Sequence, residues 1–297
     1  MIKIEKTNYN WTINGPNILK LSSASLFSKL IVIFQNYHTF NKEKVKDIIL
    51  KYIDNNDWMF KEDNNKENII SESRQAYSGL MNLGYNYNFG IKLDGYYGEQ
   101  LYFMEESYWE NPWKAGAHLS HYIFFCNLIG KKEEIESILI KLEKYAKKDG
   151  WYFGNPSDEK KINGIMKVMT AYDVIKRKID KEMLFGITDR ILLYKDYKGG
   201  CGIYDYVYIL VRCYETGYRC DEIKKTLYEL YDKILEHQME DGGFKYSLNR
   251  EKRDKYGGVE VGLENEGCIH GSVLFGMTLM MMDEVLEMGL GLGRVET

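Results

Sequence analysis

The chain has 297 residues, 44% hydrophobic and 28% charged, with a net charge of −4. That balance is a soluble globular protein's, and the absence of a basic excess sets nucleic acid aside as a main partner. The start Met1-Ile-Lys-Ile-Glu-Lys is too polar for a signal peptide, and the longest apolar run, around Phe275–Met282, is too short for a membrane span.

Five cysteines, an odd number at irregular spacing, read as reduced thiols and a cytoplasmic setting. Only 3 prolines interrupt the chain, which leaves room for long helices. Taken in order, the pattern predicts an apolar helix over 17–36 and an amphipathic one over 42–53, followed by Asn55-Asn-Asp-Trp-Met-Phe. A second pair falls at 72–86 and 96–107. The third is 112–129 and 132–148, the latter rich in Lys and Glu and running into Lys148-Asp-Gly-Trp-Tyr-Phe. Asn111 is placed to cap the first of these, with Pro112 just inside its start. The fourth pair is 162–175 and 180–194, and the fifth is 201–216 and 220–238. A sixth apolar helix spans 265–284. The stretch 239–264 between them reads as one long loop.

Apolar and charged helices therefore alternate about six times. A helix apolar all round must be buried, and one with a charged face must lie outside. Six of one kind inside six of the other predicts an all-α fold, an (α/α)6-type toroid forming a single domain over 1–297.

The run Gln238-Met-Glu-Asp-Gly-Gly-Phe closing an amphipathic helix resembles the repeat signature of terpenoid cyclases and protein prenyltransferases. Asp149-Gly-Trp-Tyr-Phe looks like a degenerate copy. The resemblance implies a toroid with a central cavity and carries over no catalytic apparatus. The chain has no Asp-x-Asp-Asp cluster of the kind class II cyclases use as their acid.

If the inner helices present their N-termini to one end, their first turns form a ring of polar pairs. Lys114 and His118, Asn163 and Lys167, Cys201 and Asp205, and Glu266 and His270 share an i, i+4 spacing, with Arg74 and Ser78 as the counterpart in the second repeat. The plainer reading of these residues is helix caps and exposed helix ends. His121 follows on the face of Lys114 and His118, and Trp113 and Tyr204 offer flat faces for a sugar ring. Tyr102, Trp109 and Trp151 could do the same, although core packing explains any single aromatic more cheaply.

The ring's cations, with helix N-termini beside them, suit an anionic ligand. A small-molecule or oligosaccharide substrate of uronate type ranks first. Its carboxylate is held by Arg74, Lys114 or Lys167, a proton is removed by His118 or Tyr208, and Asp205 or Glu266 donates to the leaving oxygen. The outcome is lyase, epimerase or hydrolase chemistry. A prenyl-diphosphate or terpenoid cyclase/transferase reading is the alternative, and a non-catalytic glycan- or protein-binding toroid is a third. No cofactor is required. Zinc is a lesser possibility, because Cys201, Cys268 and His270 resemble ligand placements of toroid prenyltransferases and lanthionine cyclases. Cys126, Cys213 and Cys220 read as inert thiols, His38 and His237 as surface or capping residues, and Glu105-Glu106 as a solvated helix end.

Overall fold

The structure is a computed structural model describing residues 21–33, 42–87, 90–97, 101–197, 199–248, 255–256, 259–260 and 267–295. These residues are mostly helical. The α-helices are α1 (Leu21–Ile33), α2 (Lys42–Leu50), α3 (Lys66–Asn82), α4 (Pro112–Leu128), α5 (Lys132–Leu142), α6 (Asp158–Val174), α7 (Lys181–Leu193), α8 (Gly199–Tyr214), α9 (Cys220–Glu236) and α10 (Ile269–Leu286). Two small antiparallel pairs accompany them, β1 (Ala146–Lys147) with β2 (Gly150–Trp151) and β3 (Lys255–Tyr256) with β4 (Val259–Glu260).

Among the described residues of 96–107 the predicted α-helix is absent. Short 3-10 turns at Tyr102–Met104 and Glu106–Glu110 stand there instead. Tyr97, Leu101 and Met104 do share a helical face, but Gly95 and Gly98 beside it each disfavour helix by about 1 kcal/mol relative to alanine. Asn111 also departs from expectation: its side chain makes no cap hydrogen bond, and Oδ1 is buried without a partner. Pro112 does open α4. The last helix is longer than its apolar centre suggested. By length and composition alone α10 could cross a membrane, yet 78% of it is buried, against α8, α9 and α1.

The alternation read from the sequence appears as a difference in burial. In α9 only Ile223, Thr226, Leu227, Leu230 and Ile234 are buried, one stripe on a charged helix. In α8 and α10 burial runs all round. The apolar helices touch in succession: α1 on α3, α3 on α4, α4 on α6, α6 on α8, α8 on α10, and α10 on α1. The charged helices lie against them, α2 on α1 and α3, α5 on α4, α7 on α8, and α9 on α8 and α10.

Three tight reversals lead from a charged helix into the next apolar one, and each buries an aromatic ring. Ile53 pairs with Phe60, β1 with β2, and Gln238 with Phe244. Phe60 then packs edge-on to Tyr77 of α3 at 5.1 Å, Trp151 meets Tyr172 of α6 at 6.0 Å, and Phe244 meets Phe275 of α10 at 5.6 Å. Two of these rings are fixed alike, since the Phe60 and Phe244 amides donate to the buried hydroxyls of Ser73 and Ser272. Asp57 and Asp241 make the same turn bond to the amide two residues on. The aspartate-and-aromatic signature is thus a device for docking one helix pair onto the next.

Candidate functional site

The polar groups that meet inside the fold lie deeper than the first turns. Arg74 of α3, His121 of α4 and Lys167 of α6 each stand eight or nine residues after the first residue of their helix. At 1.5 Å per residue this is about 12–13 Å along the axis. Lys29 of α1 lies beside Arg74 and Lys167. Asp205 and Tyr204 of α8 join them. Lys29, only 7% exposed, donates from Nζ to Gln75 Oε1 at 2.8 Å. Burial, with the positive charges of Arg74 and Lys167 beside it, pushes its amine down to about 7. The Arg74 guanidinium stands 5.7 Å from the Phe124 ring.

His121 is held well below the usual imidazole range by burial, then by Arg74, Lys167 and His118, so it is neutral. Asp205 is 3% exposed, and burial raises it to about 7 against the pull of Lys167. Burial also raises the Tyr204 phenol, helped by Tyr208 and Asp205. Among the described residues, none of His121, Lys167, Tyr204 and Asp205 has a side-chain hydrogen bond or ion pair. A carboxyl group this buried ordinarily has a partner.

The other expected ring members are elsewhere. Lys114 is 48% exposed and pairs with Glu67 at 3.2 Å. Trp113 is 52% exposed. His118 Nδ1 stands 3.0 Å from the Tyr108 hydroxyl, one turn outside His121. Asn163 turns back to its own helix, donating to Glu159 O at 2.9 Å. Tyr208 is not available as a base, because its hydroxyl donates to the Asp173 carboxylate, which Arg212 Nε also binds at 2.7 Å. Burial raises this phenol too. Trp109 and Trp151 are core residues. Glu266, His38 and the loop positions 249–254, 257–258 and 261–266 lie outside the described residues.

The suggested zinc set does not assemble. Cys268 Sγ accepts the Gly271 amide at 3.2 Å, capping α10, while His270 stacks on Tyr246 at 4.9 Å. Among the described residues no three His, Cys, Asp or Glu side chains are grouped to hold a metal ion.

A cavity of about 910 Å³ opens at the other end of the apolar helices. Its walls include Met81 of α3, Phe124 and Leu128 of α4, Met169 and Asp173 of α6, Tyr208 and Arg212 of α8, and Met277, Met280 and Met281 of α10. With them stand the cations Lys176, Arg177 and Lys178 between α6 and α7, Lys181 at the start of α7, and Arg294 after α10. Phe124 and Tyr208 touch both regions, since Phe124 lies under Arg74 and the Tyr208 ring is 5.9 Å from Tyr204. They line the cavity on the side of the polar layer.

Two members of the layer escaped the sequence reading. Lys29 is the one charged residue in the apolar stretch Leu21–Ile33, and that isolation was the signal. Gln75 carried no signal, because nothing in the sequence marks it as the neighbour of Lys29. Compared with protein-family models, with curated proteins and with solved structures, the chain matches none.

Proposed function

We propose that the chain is a single α/α toroid, its six apolar helices closed into an inner ring, and that it is an enzyme acting on a small acidic substrate bound in the polar layer. The succession of contacts that returns from α10 to α1 supports the closed ring. The observation that carries the site is Asp205, buried, without a hydrogen-bond partner among the described residues, and beside Lys167. A buried layer with Arg74 and Lys167 on two of its sides favours an anion, because a ligand carboxylate offsets the mutual repulsion of these cations.

A uronate or other acidic saccharide ranks first. In that reading Arg74 and Lys167 hold the carboxylate. Neutral His121 takes the proton alpha to it, and Asp205, kept protonated near neutral pH by burial, gives its proton to the leaving oxygen. Elimination results if the leaving group sits beta to the carboxylate. Reprotonation of that carbon from the opposite face gives epimerisation, and hydrolysis results if His121 instead takes a proton from a water that attacks the anomeric carbon while Asp205 protonates the leaving oxygen. The five free thiols fit a reducing, cytoplasmic setting.

The 910 Å³ cavity, whose wall sets Met81, Met169, Met277, Met280, Met281 and Phe124 beside the cations Arg177, Lys181 and Arg212, favours a second reading in which an isoprenoid tail lies against the methionines and its diphosphate meets those cations. Thermal-shift measurements with glucuronate, galacturonate, acidic oligosaccharides and a prenyl diphosphate separate the readings. A ligand at 100 times its dissociation constant stabilises the fold by about 2.7 kcal/mol. A shift with uronates that disappears in Lys167→Ala supports the first reading, and a shift with diphosphate alone supports the second. No shift with any of them leaves a glycan- or protein-binding scaffold as the better description.

A further inference from the structure

Lys29 has no task in the acid–base chemistry on a uronate. Its surroundings are unusual for a lysine. It lies mid-way along an apolar helix, 7% exposed, between Leu26, Leu30 and Ile33, which are themselves buried. No carboxylate forms an ion pair with it among the described residues. Its amine has one acceptor, Gln75 Oε1 at 2.8 Å, and its charged neighbours are the cations Arg74 and Lys167. A structural lysine is placed the other way, with its head in water or against a carboxylate. Desolvation together with adjacent positive charge favours the neutral form of an amine, and a neutral buried amine is a nucleophile toward carbonyl carbon.

We propose that Lys29 forms an imine with the carbonyl of a 2-oxo acid whose carboxylate is held by Arg74 and Lys167. This rests on the acidic-ligand reading of the polar layer and narrows it. In a 2-oxo acid the carbonyl carbon is bonded directly to the carboxylate carbon. Cations flanking the amine therefore bring the electrophile to it, and keto forms of sugar acids belong to the same class.

The chemistry balances with groups already in the layer. The amine lone pair attacks the carbonyl carbon, the π pair moves to oxygen, and a proton passes from nitrogen to that oxygen to give a neutral carbinolamine. Asp205 then protonates the hydroxyl, which leaves as water. The nitrogen lone pair closes the C=N bond, leaving an iminium ion beside the Asp205 carboxylate. The iminium is an electron sink that acidifies the adjacent carbon, where neutral His121 can take a proton.

The test is reductive trapping. The full chain is incubated with pyruvate and sodium cyanoborohydride at neutral pH and digested, and the modified lysines are mapped by mass spectrometry. The expected result is one reduced pyruvate per chain on Lys29, suppressed by excess glucuronate and missing from Lys29→Met and Lys29→Arg. Circular dichroism of both variants checks that they fold, and the map of the unaltered protein decides the point even where they do not. Modification only of surface lysines, with pyruvate still raising the melting temperature, overturns the imine and leaves the acidic-ligand reading standing. If neither pyruvate nor glucuronate raises it, the acidic-ligand reading falls as well.

Discussion

Asp205 and Lys29 are both buried against the preference of their charged forms, and the consequences run in opposite directions with pH. The carboxyl of Asp205 rises from its ordinary value near 3.8 to about 7 on folding. Its penalty is absent below about pH 4, grows as pH rises, and is complete above 7. Asp205→Asn should therefore stabilise the empty protein at pH 8 by an amount on the order of 4 kcal/mol, falling toward zero near pH 4. The Lys29 amine falls from 10.5 to about 7. Its penalty is absent above pH 10.5 and complete below 7, so Lys29→Met should stabilise more at pH 6 than at pH 9. Urea unfolding of the three proteins across this range measures both slopes, and parallel curves would refute the burial assigned to the two groups. Activity follows a related logic. If Asp205 is the acid, kcat/KM must decline above about pH 7, where its proton is lost.

The element scale is governed by close approach where helices meet. Gly116 and Gly164 face one another between α4 and α6: a Cβ on Gly164 would come within 2.7 Å of the Pro112 Cβ and 2.8 Å of its carbonyl oxygen. Backbone does not yield as a flexible side chain does, so Gly164→Ala should force the helices apart and cost about 1–3 kcal/mol, read from the denaturant midpoint. An unchanged midpoint would mean that the two helices are not so tightly seated. Since α6 carries Lys167 and α4 carries His121, the same variant should weaken binding of any ligand that bridges them. Capping offers a milder test. Asn65 accepts the amides of Glu67 and Asn68 at the start of α3, so Asn65→Ala should cost about 1 kcal/mol without altering ligand binding.

Across the whole molecule the contact sequence α1–α3–α4–α6–α8–α10–α1 makes each apolar helix depend on two others. Trp109 and Trp151 are fully buried, Trp109 stacking on Tyr145 at 5.2 Å beside α5 and Trp151 lying against α6. Tryptophan fluorescence and far-ultraviolet circular dichroism should therefore report one coincident unfolding transition. Two separated transitions would show that part of the ring unfolds by itself and would count against closure. At this scale the site has two faces. The polar layer lies below the helix N-termini, while the 910 Å³ cavity opens at their C-termini, with Phe124 and Tyr208 lining it on the side of the polar layer.

The sequence by itself determined the helical class and the alternation of apolar and amphipathic helices, because burial of a helix face is written in local periodicity. It also marked the recurring aspartate-and-aromatic runs that contain Phe60, Trp151 and Phe244, although not the reversals they form. It misplaced a helix at 96–107 and set the polar groups in the first turns, whereas Arg74, His121, Lys167 and Asp205 meet deeper and Lys114, Trp113 and Asn163 stay apart. Only the tertiary structure decided this. Spacing along one helix fixes which residues share a face, but the height at which two helices meet depends on where small residues let their backbones touch, as Gly116 and Gly164 do. The same close packing brings Lys29 to Gln75 across 46 positions of chain. Local periodicity carries no information about a pairing of that length.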